Sequence, residues 1–393
     1  MSTTFDVIIA GGGVMGCATA YYLLNQDPSL TVAIVEKDPS YKHASTILSD
    51  GNVRIQFNLK ENIQISQYAL EVLPEFGERM AVGDKKPAVA ARHQGNLFLV
   101  DEANRAAAEA GLALQQSLGC EVDWLTAVEI AAAYPAYAGE GFIGGTLGRR
   151  DGSVDPQAVL TGYRDKAVVL GATYITAVVT DFLTDPTGTH MRGVRLADGR
   201  ELSSPLVINT AGAWARDLLQ TIGVDLPVLP IMRQVFVVQT NIPTSGFLPS
   251  IFLPTGLYVI HENEGHFLVG KSFPDDPEGY DFTMRPRIFE ERMWPELVDY
   301  LPAFERLKVV GGWAGLYAVN TLDGNAILGE WPEVAGLYLA NGFSGHGFQQ
   351  CHAVGRYLAE LILEKTPVLD LSIFAPERVL SHTAVVEHAG RII

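Results

Sequence analysis

The sequence predicts two domains: a discontinuous α/β domain built on a parallel sheet, and an α+β domain built on an antiparallel sheet. The chain opens with a strand, a glycine-rich turn, a helix and a second strand, and similar patterns return near residues 205–215 and 336–363. Between residues 229 and 320, short β-like runs alternate with Gly and Pro and are interrupted by one helix, which is typical of an antiparallel sheet.

The domain boundaries follow from these patterns, and a length of 393 residues suits two or three domains of about 150 residues each. To the α/β domain we assign residues 1–85, 150–228 and 318–393. To the α+β domain, interpreted as the part that binds a substrate, we assign residues 86–149 and 229–317.

The N-terminal elements are predicted first. Residues 5–10 are an apolar run typical of a buried strand, a helix extends from the glycine turn to about Gln26, and residues 31–36 form a second strand. Connections of this length are those of a βαβ unit. A loop rich in Ser, Asp and Gly follows over residues 38–52.

Apolar spacing and stop signals predict the later elements. Helix patterns end at Gly119 and Gly171 and before Pro135, because glycine and proline terminate helices. The further helices are predicted over residues 63–76, 103–118, 126–133, 155–170, 287–300 and a last one ending near 363. The further strands are predicted over residues 95–100, 173–180, 192–196, 206–210, 234–239, 256–261, 266–270, 309–318 and 336–340.

Composition and charge exclude several classes of function. Lys plus Arg total 28 and Asp plus Glu total 45, which gives a net charge of −17. Because such a chain repels phosphate backbones and anionic lipid surfaces, we expect no nucleic-acid partner.

Cys17, Cys120 and Cys351 are far apart and form no CxxC pair, which argues against a disulfide framework and a cysteine zinc site. We therefore expect a cytoplasmic protein.

Two uncharged stretches, residues 7–26 and 234–260, are long enough to be mistaken for membrane spans. Consecutive glycines interrupt the first stretch and several prolines interrupt the second, so we expect no membrane span. A strand pattern that begins at residue 5 leaves no room for a signal peptide.

The first glycine turn has the GxGxxG spacing of a Rossmann-like dinucleotide site, with Gly11, Gly13 and Gly16 at the three glycine positions. The turn follows a strand and opens a helix, and the acid Glu36 comes twenty residues after Gly16 at the end of the second strand. The helix N-terminus stabilises a pyrophosphate, and the acid can accept hydrogen bonds from a ribose. A carboxylate there would repel a 2′-phosphate, so NADP is disfavoured, while FAD and NAD fit equally well.

A later turn separates these two cofactors. Residues 341–350 (NGFSGHGFQQ) place successive backbone amides at the start of the last helix, where they can bind an electron-rich carbonyl. The flavin pyrimidine ring carries such an oxygen. A strand that enters the turn over residues 207–215 can approach the same dinucleotide from the neighbouring strand.

Together these motifs resemble the D-amino-acid-oxidase (DAO) superfamily of flavoproteins, which includes sarcosine oxidase, glycine oxidase and dimethylglycine dehydrogenase. The resemblance extends over nearly the whole chain. It depends on GGGVMG with Glu36, NTAGAWA at 209–215, WAGLYAVNTLDGNAILG at 313–329 and GFSGHGF at 342–348. Residues 44–65 also resemble the mitochondrial FAD-dependent oxidoreductases linked to assembly of respiratory complex I.

The resemblance implies FAD as the cofactor, held by a domain of the GR2 type, and it implies which residues bind the cofactor and the substrate. The implied FAD-binding residues are Gly11, Gly13, Val14, Met15, Gly16, Glu36, Lys37, Ser45, Asn52, Arg54, Val178, Ala211, Gly212, Trp214, Gly315, Gly345, His346, Gly347 and Phe348. The residues expected to be catalytic are Tyr258, Arg54, Gln349 and His346.

One departure from the family concerns the attachment of FAD. Sarcosine oxidase attaches its FAD through a cysteine before a Met-Tyr pair, whereas this chain has Gly315 before Leu316 and Tyr317. That linkage is impossible here, and His43 is the remaining candidate for a histidine linkage. We therefore expect non-covalent FAD.

Other departures concern the substrate and the electron acceptor. The positions of the Arg and the Lys that bind the substrate carboxylate in sarcosine oxidase correspond to Phe57 and Gln349. The lysine that assists reaction with oxygen corresponds to Leu268, although Lys271 is nearby. The sequence therefore predicts a less cationic substrate site, and it leaves the acceptor open between oxygen and another molecule.

Tyr258 and a further candidate, Arg233, can each serve the substrate site or have a structural role. Tyr258 can orient an amine or a carboxylate, or it can be a sheet tyrosine with its hydroxyl at the surface. Arg233 can pair a carboxylate or belong to a structural ion pair. No His, Asp and Glu group has the spacing of a metal site, and Ser45 lacks the partners of a hydrolytic triad.

These observations predict an FAD-dependent oxidoreductase that oxidises the C–N bond of an amino acid or a secondary amine by hydride transfer to flavin N5. The expected partners are a small amine or amino acid and oxygen or another electron acceptor. Two alternatives stay open: a dehydrogenase acting on the C–O bond of a 2-hydroxyacid-type substrate with the same fold, and a flavoprotein whose main role is assembly or docking onto a partner.

Overall fold

The computed structural model describes residues 3–244 and 246–387, and its strands form two large sheets and two small ones. The strands are β1 Val7–Ala10, β2 Val32–Glu36, β3 Asn52–Val53, β4 Asn96–Val100, β5 Val122–Thr126, β6 Gly144–Gly148, β7 Gly152–Ser153, β8 Thr173–Thr176, β9 Val179–Thr184, β10 Met191–Leu196, β11 Glu201–Ser203, β12 Leu206–Asn209, β13 Val228–Thr240, β14 Ser250–Phe252, β15 Tyr258–Asn263, β16 His266–Gly270, β17 Leu307–Asn320, β18 Ile327–Glu330 and β19 Leu337–Asn341.

Helices cover the faces of both large sheets. They are α1 Val14–Gln26, α2 Lys60–Val72, α3 Phe76–Arg79, α4 Arg105–Ser117, α5 Ala127–Ala133, α6 Pro156–Val169, α7 Ala215–Gln220, α8 Pro286–Ile288, α9 Trp294–Tyr300, α10 Gly347–Ile362 and α11 Glu377–Leu380. In the described part of the chain, no helix combines the length and the apolar character needed to cross a membrane.

The first large sheet has the order β18-β19-β12-β1-β2-β8 and is parallel except for β18, which pairs antiparallel with β19. Its central strand β1 is buried along its whole length, as expected for a strand covered on both faces. Helices α1, α6 and α10 pack on one face. The small sheet β9–β11 and helix α7 pack on the other face. This layering confirms the predicted Rossmann-like α/β fold.

The second large sheet has the order β17-β13-β16-β15-β14-β4-β6-β5 and is antiparallel except at the β14–β4 pair. The long strands β13 and β17 pair over most of their length. Side chains of the 286–300 helical segment, such as Phe289 and Leu297, pack on one face of this sheet against Phe236 and Phe267. The opposite face of this sheet is turned to the first domain. The prediction of an antiparallel α+β domain is confirmed.

The strands sort between the sheets by the segments from which they come. All six strands of the first large sheet lie within residues 1–85, 150–228 and 318–393. The strands of the second lie within 86–149 and 229–317, apart from the ends of β13 and β17. We keep the predicted boundaries as our interpretation of the domains.

The sequence patterns missed seven strands, β3, β5, β6, β7, β11, β14 and β18, and they merged β8 with the start of β9 into one strand over residues 173–180. Strand β6 has the sequence GGTLG, which by itself is typical of a turn. Its glycines are needed because the neighbouring strands are very close: a Cβ at Gly145 would lie 2.6 Å from the carbonyl oxygen of Phe98. Packing against β4 therefore overrides the weak β propensity of glycine.

The helix predicted over residues 287–300 is present but not regular. Residues Phe289–Met293 form a π-helical segment, and α9 begins at Trp294 with Pro295 in its first turn. Proline has no N–H to donate and its ring crowds the preceding turn, so the backbone widens before it.

Candidate functional site

A large cavity, with a volume of about 620 Å³, lies between the two large sheets. One end is formed where β1, β2, β12 and β19 of the parallel sheet terminate, and the other end is formed by β13, β15 and β17. The carboxyl ends of parallel strands are the usual ligand site of an α/β sheet, and this volume is in the usual range of about 300–1,000 Å³.

The glycine turn at the start of α1 has the geometry that its sequence predicts. Gly11 has φ +111°, and a Cβ there would lie 2.5 Å from the Thr210 carbonyl oxygen. A Cβ at Gly16 would collide with the Gly11 carbonyl oxygen, so this glycine permits the close packing of helix and strand. Gly13 faces the cavity, and a Cβ there would have the Thr46 hydroxyl as its nearest neighbour, at 3.9 Å.

The N-terminus of α1 therefore opens onto the cavity beside Gly13, Val14 and Met15, which all line it. Gly13 at the cap position has no side chain to cap the helix, and the first turn contains no acidic residue. The Val14 N–H has only a long hydrogen bond, 3.4 Å, to the Thr46 hydroxyl. Backbone amides and the positive end of the helix dipole are thus available to a phosphate group.

Glu36 lies at the end of β2 and borders the cavity. Its Oε2 accepts a hydrogen bond from the Gly12 N–H at 2.8 Å, and its Oε1 accepts one from the Asp38 N–H at 2.9 Å. Burial raises the pKa of the Glu36 carboxyl, and these two hydrogen bonds oppose the rise. Each carboxylate oxygen can accept a further hydrogen bond, which suits a ribose diol.

The neighbouring rim of the cavity combines a cation and an aromatic stack. The Lys37 ammonium lies 2.9 Å from the centre of the Trp214 ring. Tyr280 of the second domain stacks on Trp214, with ring centres 5.4 Å apart. The Tyr280 hydroxyl donates a hydrogen bond to Asp217 at 2.5 Å. Ala211, Gly212 and Val178 line the same part of the cavity.

The second glycine turn lies at the other end of the cavity. Gly345 has φ +101°, and a Cβ there would collide with the Tyr317 ring. Helix α10 begins at Gly347, and His346 at its cap position makes no capping side-chain hydrogen bond. Because residues 345–348 all line the cavity, the N-termini of two helices open onto it.

The predicted residues between these two turns also line the cavity. The Ser45 hydroxyl donates to the Leu316 carbonyl oxygen at 2.7 Å. The amides of Asn52 and Asn96 exchange hydrogen bonds at 3.0 and 2.9 Å, which join the two domains. A Cβ at Gly315 would lie 3.1 Å from Leu48 Cβ, so the position is closely covered.

Arg54 carries positive charge into the cavity. Its Nη2 lies 2.9 Å from His346 Nε2, and its guanidinium lies 4.7 Å from the centre of the Phe57 ring. Gln349 accepts a hydrogen bond from the Arg54 backbone N–H at 2.7 Å, so it positions the Arg54 segment. The catalytic role assigned to Gln349 stays a prediction.

Arg233 forms a structural ion pair and also reaches the cavity, so both roles considered for it stay open. Its Nη1 donates to Asp276 at 2.7 Å, and its side chain also lines the cavity. Arg54 and Arg233 both line the cavity at positions other than Phe57 and Gln349, and the expectation of a less cationic substrate site than in sarcosine oxidase stays a prediction. Lys271 pairs with Glu296 at 2.6 Å and is not among the residues that line the cavity.

Tyr258 is buried and directed into the cavity, so its alternative as a surface tyrosine is wrong. Its hydroxyl lies close enough to the Asp50 carboxylate, which also lines the cavity, for the two groups to shift each other's pKa. Burial raises the pKa of the Tyr258 hydroxyl well above its ordinary value, as does the negative charge of Asp50. Tyr258 therefore stays protonated and donates.

Asp50 is a site residue that sequence reasoning missed. It lies in the polar loop before β3, where Asp is a common turn residue and gives no separate signal. Burial raises the pKa of its carboxyl, while hydrogen bonds from Asn52 and Tyr258 and the charge of Arg54 oppose the rise. A raised pKa in a cavity marks a candidate for proton transfer.

Among residues 3–244 and 246–387, no group of three or more His, Cys, Asp and Glu side chains is arranged to hold a metal ion.

Comparisons with known proteins agree with this geometry. Residues 6–361 match the family model described as DAO, FAD dependent oxidoreductase. The chain is 34% identical to FAD-dependent oxidoreductase domain-containing protein 1 of Xenopus laevis, over 97% of this chain and 84% of that protein. It is 29% identical to a glycine oxidase of Pseudomonas putida, over 95% of this chain and 98% of that protein. The solved structure of L-proline dehydrogenase from P. horikoshii is similar in fold, with a TM-score of 0.86, 24% identity and coverage of 98% of this chain and 100% of that one.

Proposed function

Because the chain belongs to the DAO family of FAD-dependent oxidoreductases, we propose that it oxidises the C–N bond of an amino acid or a secondary amine. The observation that carries this proposal is the presence of opposite charges at one end of the cavity. Arg54 lies close enough to Asp50 to lower the pKa of that carboxyl, and both side chains line the cavity. A zwitterion, with a carboxylate for Arg54 and an ammonium for Asp50, matches this pair.

The donor set of the cavity fits FAD. The start of α1 suits the pyrophosphate, Glu36 suits the adenosine ribose, and the start of α10 suits an electron-rich ring carbonyl. When bound, FAD accepts a hydride equivalent from the carbon next to the amine nitrogen.

The residues of the chain would then bind and orient the substrate. Arg54 holds the carboxylate by charge-assisted hydrogen bonds, and Tyr258 donates from the opposite wall. Phe252, Val235 and Trp313 supply an apolar wall that excludes water around the reacting carbon. Fixing both ends of a small amino acid in this way limits the orientations of its α-carbon.

The alternative of C–O oxidation has weaker support from the same residues. A 2-hydroxy acid would satisfy Arg54 but would leave the Asp50 carboxylate without a cation, and burying an unpaired charge is costly. The alternative of a docking flavoprotein receives no specific support from the cavity.

The test is a substrate panel in which bleaching of the flavin absorbance is recorded without oxygen, so that the electron acceptor is irrelevant. We expect N-methyl amino acids or D-amino acids to bleach the flavin, and 2-hydroxy acids to leave it oxidised. If only 2-hydroxy acids bleach the flavin, the protein oxidises a C–O bond and not a C–N bond. No bleaching by any compound, with a stable protein partner recovered, would favour the docking role.

We also expect the FAD to be non-covalent. Gly315 has no side chain to form a bond, and the His43 ring packs at a tilt against Phe282 with ring centres 4.2 Å apart. Precipitation of the holoprotein with acid should therefore release the yellow colour into the supernatant. Colour that stays in the pellet after washing would point to a covalent link, with His43 as the first candidate.

A further inference from the structure

We propose that Asp50 is a further catalytic residue, whose carboxylate binds the protonated amine of the substrate and accepts its proton before the C–N bond is oxidised. This inference rests on the proposed function and adds a proton acceptor to it. It starts from the position of Asp50, which lines the same end of the cavity as Arg54 and Tyr258.

The Asp50 carboxylate is held in a fixed orientation. The Asn52 N–H donates to its Oδ1 at 3.0 Å, and Tyr258 of strand β15 lies close enough for its hydroxyl to lower the pKa of the same carboxyl. Tyr258 is itself held because Gly270, opposite it on β16, leaves room for its ring: a Cβ at Gly270 would collide with the Tyr258 hydroxyl. A carboxylate that accepts from one backbone N–H keeps lone pairs that can accept a further N–H.

Oxidation of the C–N bond requires that the amine first lose a proton, and a buried carboxylate beside it can take that proton. An aliphatic ammonium has a pKa of about 10, so it is protonated at neutral pH and has no lone pair with which to form a C=N bond. An ordinary carboxyl, with a pKa of about 4, is a weak acceptor for that proton. Burial raises the pKa of Asp50 and so brings it closer to that of the amine, which favours proton transfer.

The charged and polar groups around Asp50 shift the pKa of its carboxyl in both directions. Arg54 and the hydrogen bond from Tyr258 lower the pKa of the Asp50 carboxyl, whereas Glu262 raises it. Glu262 pairs with Arg92 at 3.0 Å and does not line the cavity. The titratable and charged groups that face Asp50 and Tyr258 from the elements around them are Arg54, Glu262, Arg233, Tyr317 and, beyond Arg54, His346.

The step balances in protons and electrons. The N–H bond of the ammonium breaks, its electron pair stays on nitrogen, and the proton passes to a carboxylate oxygen of Asp50. Bound FAD would supply the two-electron oxidant: the C–H bond next to nitrogen would break with its electron pair leaving as hydride, and the nitrogen lone pair would form the C=N bond. Water adds to the iminium carbon and releases the amine, and Asp50 returns its proton to water when the product leaves the cavity.

The principal test compares wild-type holoprotein with Asp50→Asn. The asparagine has the same shape, and its oxygen can still accept from Asn52, but it cannot take a proton. With the fastest amine of the substrate panel, we expect the rate of flavin bleaching at neutral pH to fall by about 10²–10⁴-fold, the usual contribution of a general base. The remaining rate should rise about tenfold per pH unit as the free amine becomes available.

A binding measurement gives a readout that does not depend on turnover. The probe is 2-aminoisobutyrate, which carries an ammonium but has no α-hydrogen to lose, and its binding is followed by the change in the flavin spectrum. Asp50→Asn should weaken this binding about tenfold or more, because a charged hydrogen bond is worth about 1.5–3 kcal/mol.

Two further variants distinguish a proton acceptor from a structural residue. They should shift in opposite directions the acid limb of the rate profile, which is the pH range in which the rate of flavin bleaching falls as the pH is lowered. Glu262→Gln removes a distant negative charge, lowers the pKa of Asp50 and should move the limb to lower pH. Tyr258→Phe removes the hydroxyl that lowers the pKa of Asp50, so the pKa rises and the limb should move to higher pH.

The outcomes distinguish this inference from the proposed function. The role of Asp50 alone is overturned if amines reduce the wild type but Asp50→Asn keeps the wild-type rate profile and the wild-type affinity for 2-aminoisobutyrate. Absence of measurable affinity in both proteins counts as unchanged affinity. If no amine bleaches the wild-type flavin, the proposed function and the role of Asp50 fall together.

Discussion

Glu36→Arg is expected to deprive the protein of most of its FAD. The carboxylate anchors the Gly12 and Asp38 N–H groups and is the expected acceptor for the adenosine ribose. Each hydrogen bond to a charged group is worth about 1.5–3 kcal/mol, so the loss of affinity for FAD should exceed about tenfold. The arginine also places a cation beside Lys37 and near the positive end of α1, which adds repulsion.

The measurement is the ratio of flavin to protein after dilution and gel filtration, followed by titration of the apoprotein with FAD. Glu333→Arg is the matched control, because it makes the same change of charge at an exposed turn before β19, at the opposite edge of the sheet from the cavity. Full retention of FAD by Glu36→Arg would remove Glu36 from the cofactor site.

Arg54→Met is expected to weaken substrate binding by about 10–100-fold, the equivalent of about 1.5–3 kcal/mol for a charged hydrogen bond. The methionine keeps much of the apolar packing between Phe57 and Phe98 but removes the guanidinium that lines the cavity. Arg54→Lys should recover only part of the binding, because an ammonium lacks the planar two-pronged geometry that matches a carboxylate.

The substrate dissociation constant is taken from the concentration dependence of flavin bleaching, with protein matched for FAD content. An amine without a carboxylate should reduce wild type and Arg54→Met at similar rates, and Arg195→Met, on the exposed face of the small β9–β11 sheet, serves as the control of charge. Equal loss for amines with and without a carboxylate would show that Arg54 acts on the cofactor or the fold rather than on the substrate carboxylate.

The contact between Gln349 and Arg54 reverses an expectation for the substrate site. Because Gln349 corresponds to the lysine that binds the substrate carboxylate in sarcosine oxidase, Gln349→Lys should by sequence alone restore a cation for small amino acids, but the Gln349 oxygen accepts the Arg54 backbone N–H. A lysine would remove this acceptor and place a second cation next to Arg54. We therefore expect Gln349→Lys to weaken binding of small amino acids instead of improving it, as measured by the same concentration dependence of flavin bleaching.

The sequence by itself determined the two glycine turns, the acid at the end of the second strand and the division into a parallel and an antiparallel part. These features depend on residues that are adjacent in the chain, where a positive φ, an uncapped helix start or an alternating apolar pattern can be inferred directly. Gly11, Gly345 and Glu36 occupy the positions that their local sequence predicts.

Only the tertiary structure decided which polar groups share the cavity and which glycines are strand residues. Asp50 meets Tyr258 and Gln349 meets Arg54 across more than two hundred residues of chain, and no local pattern records such a meeting. The same holds for β6, whose glycines form a strand because β4 packs too closely for a side chain. Burial then gives Asp50 its raised pKa, since the desolvation of a carboxyl depends on everything that surrounds it and not on its place in the sequence.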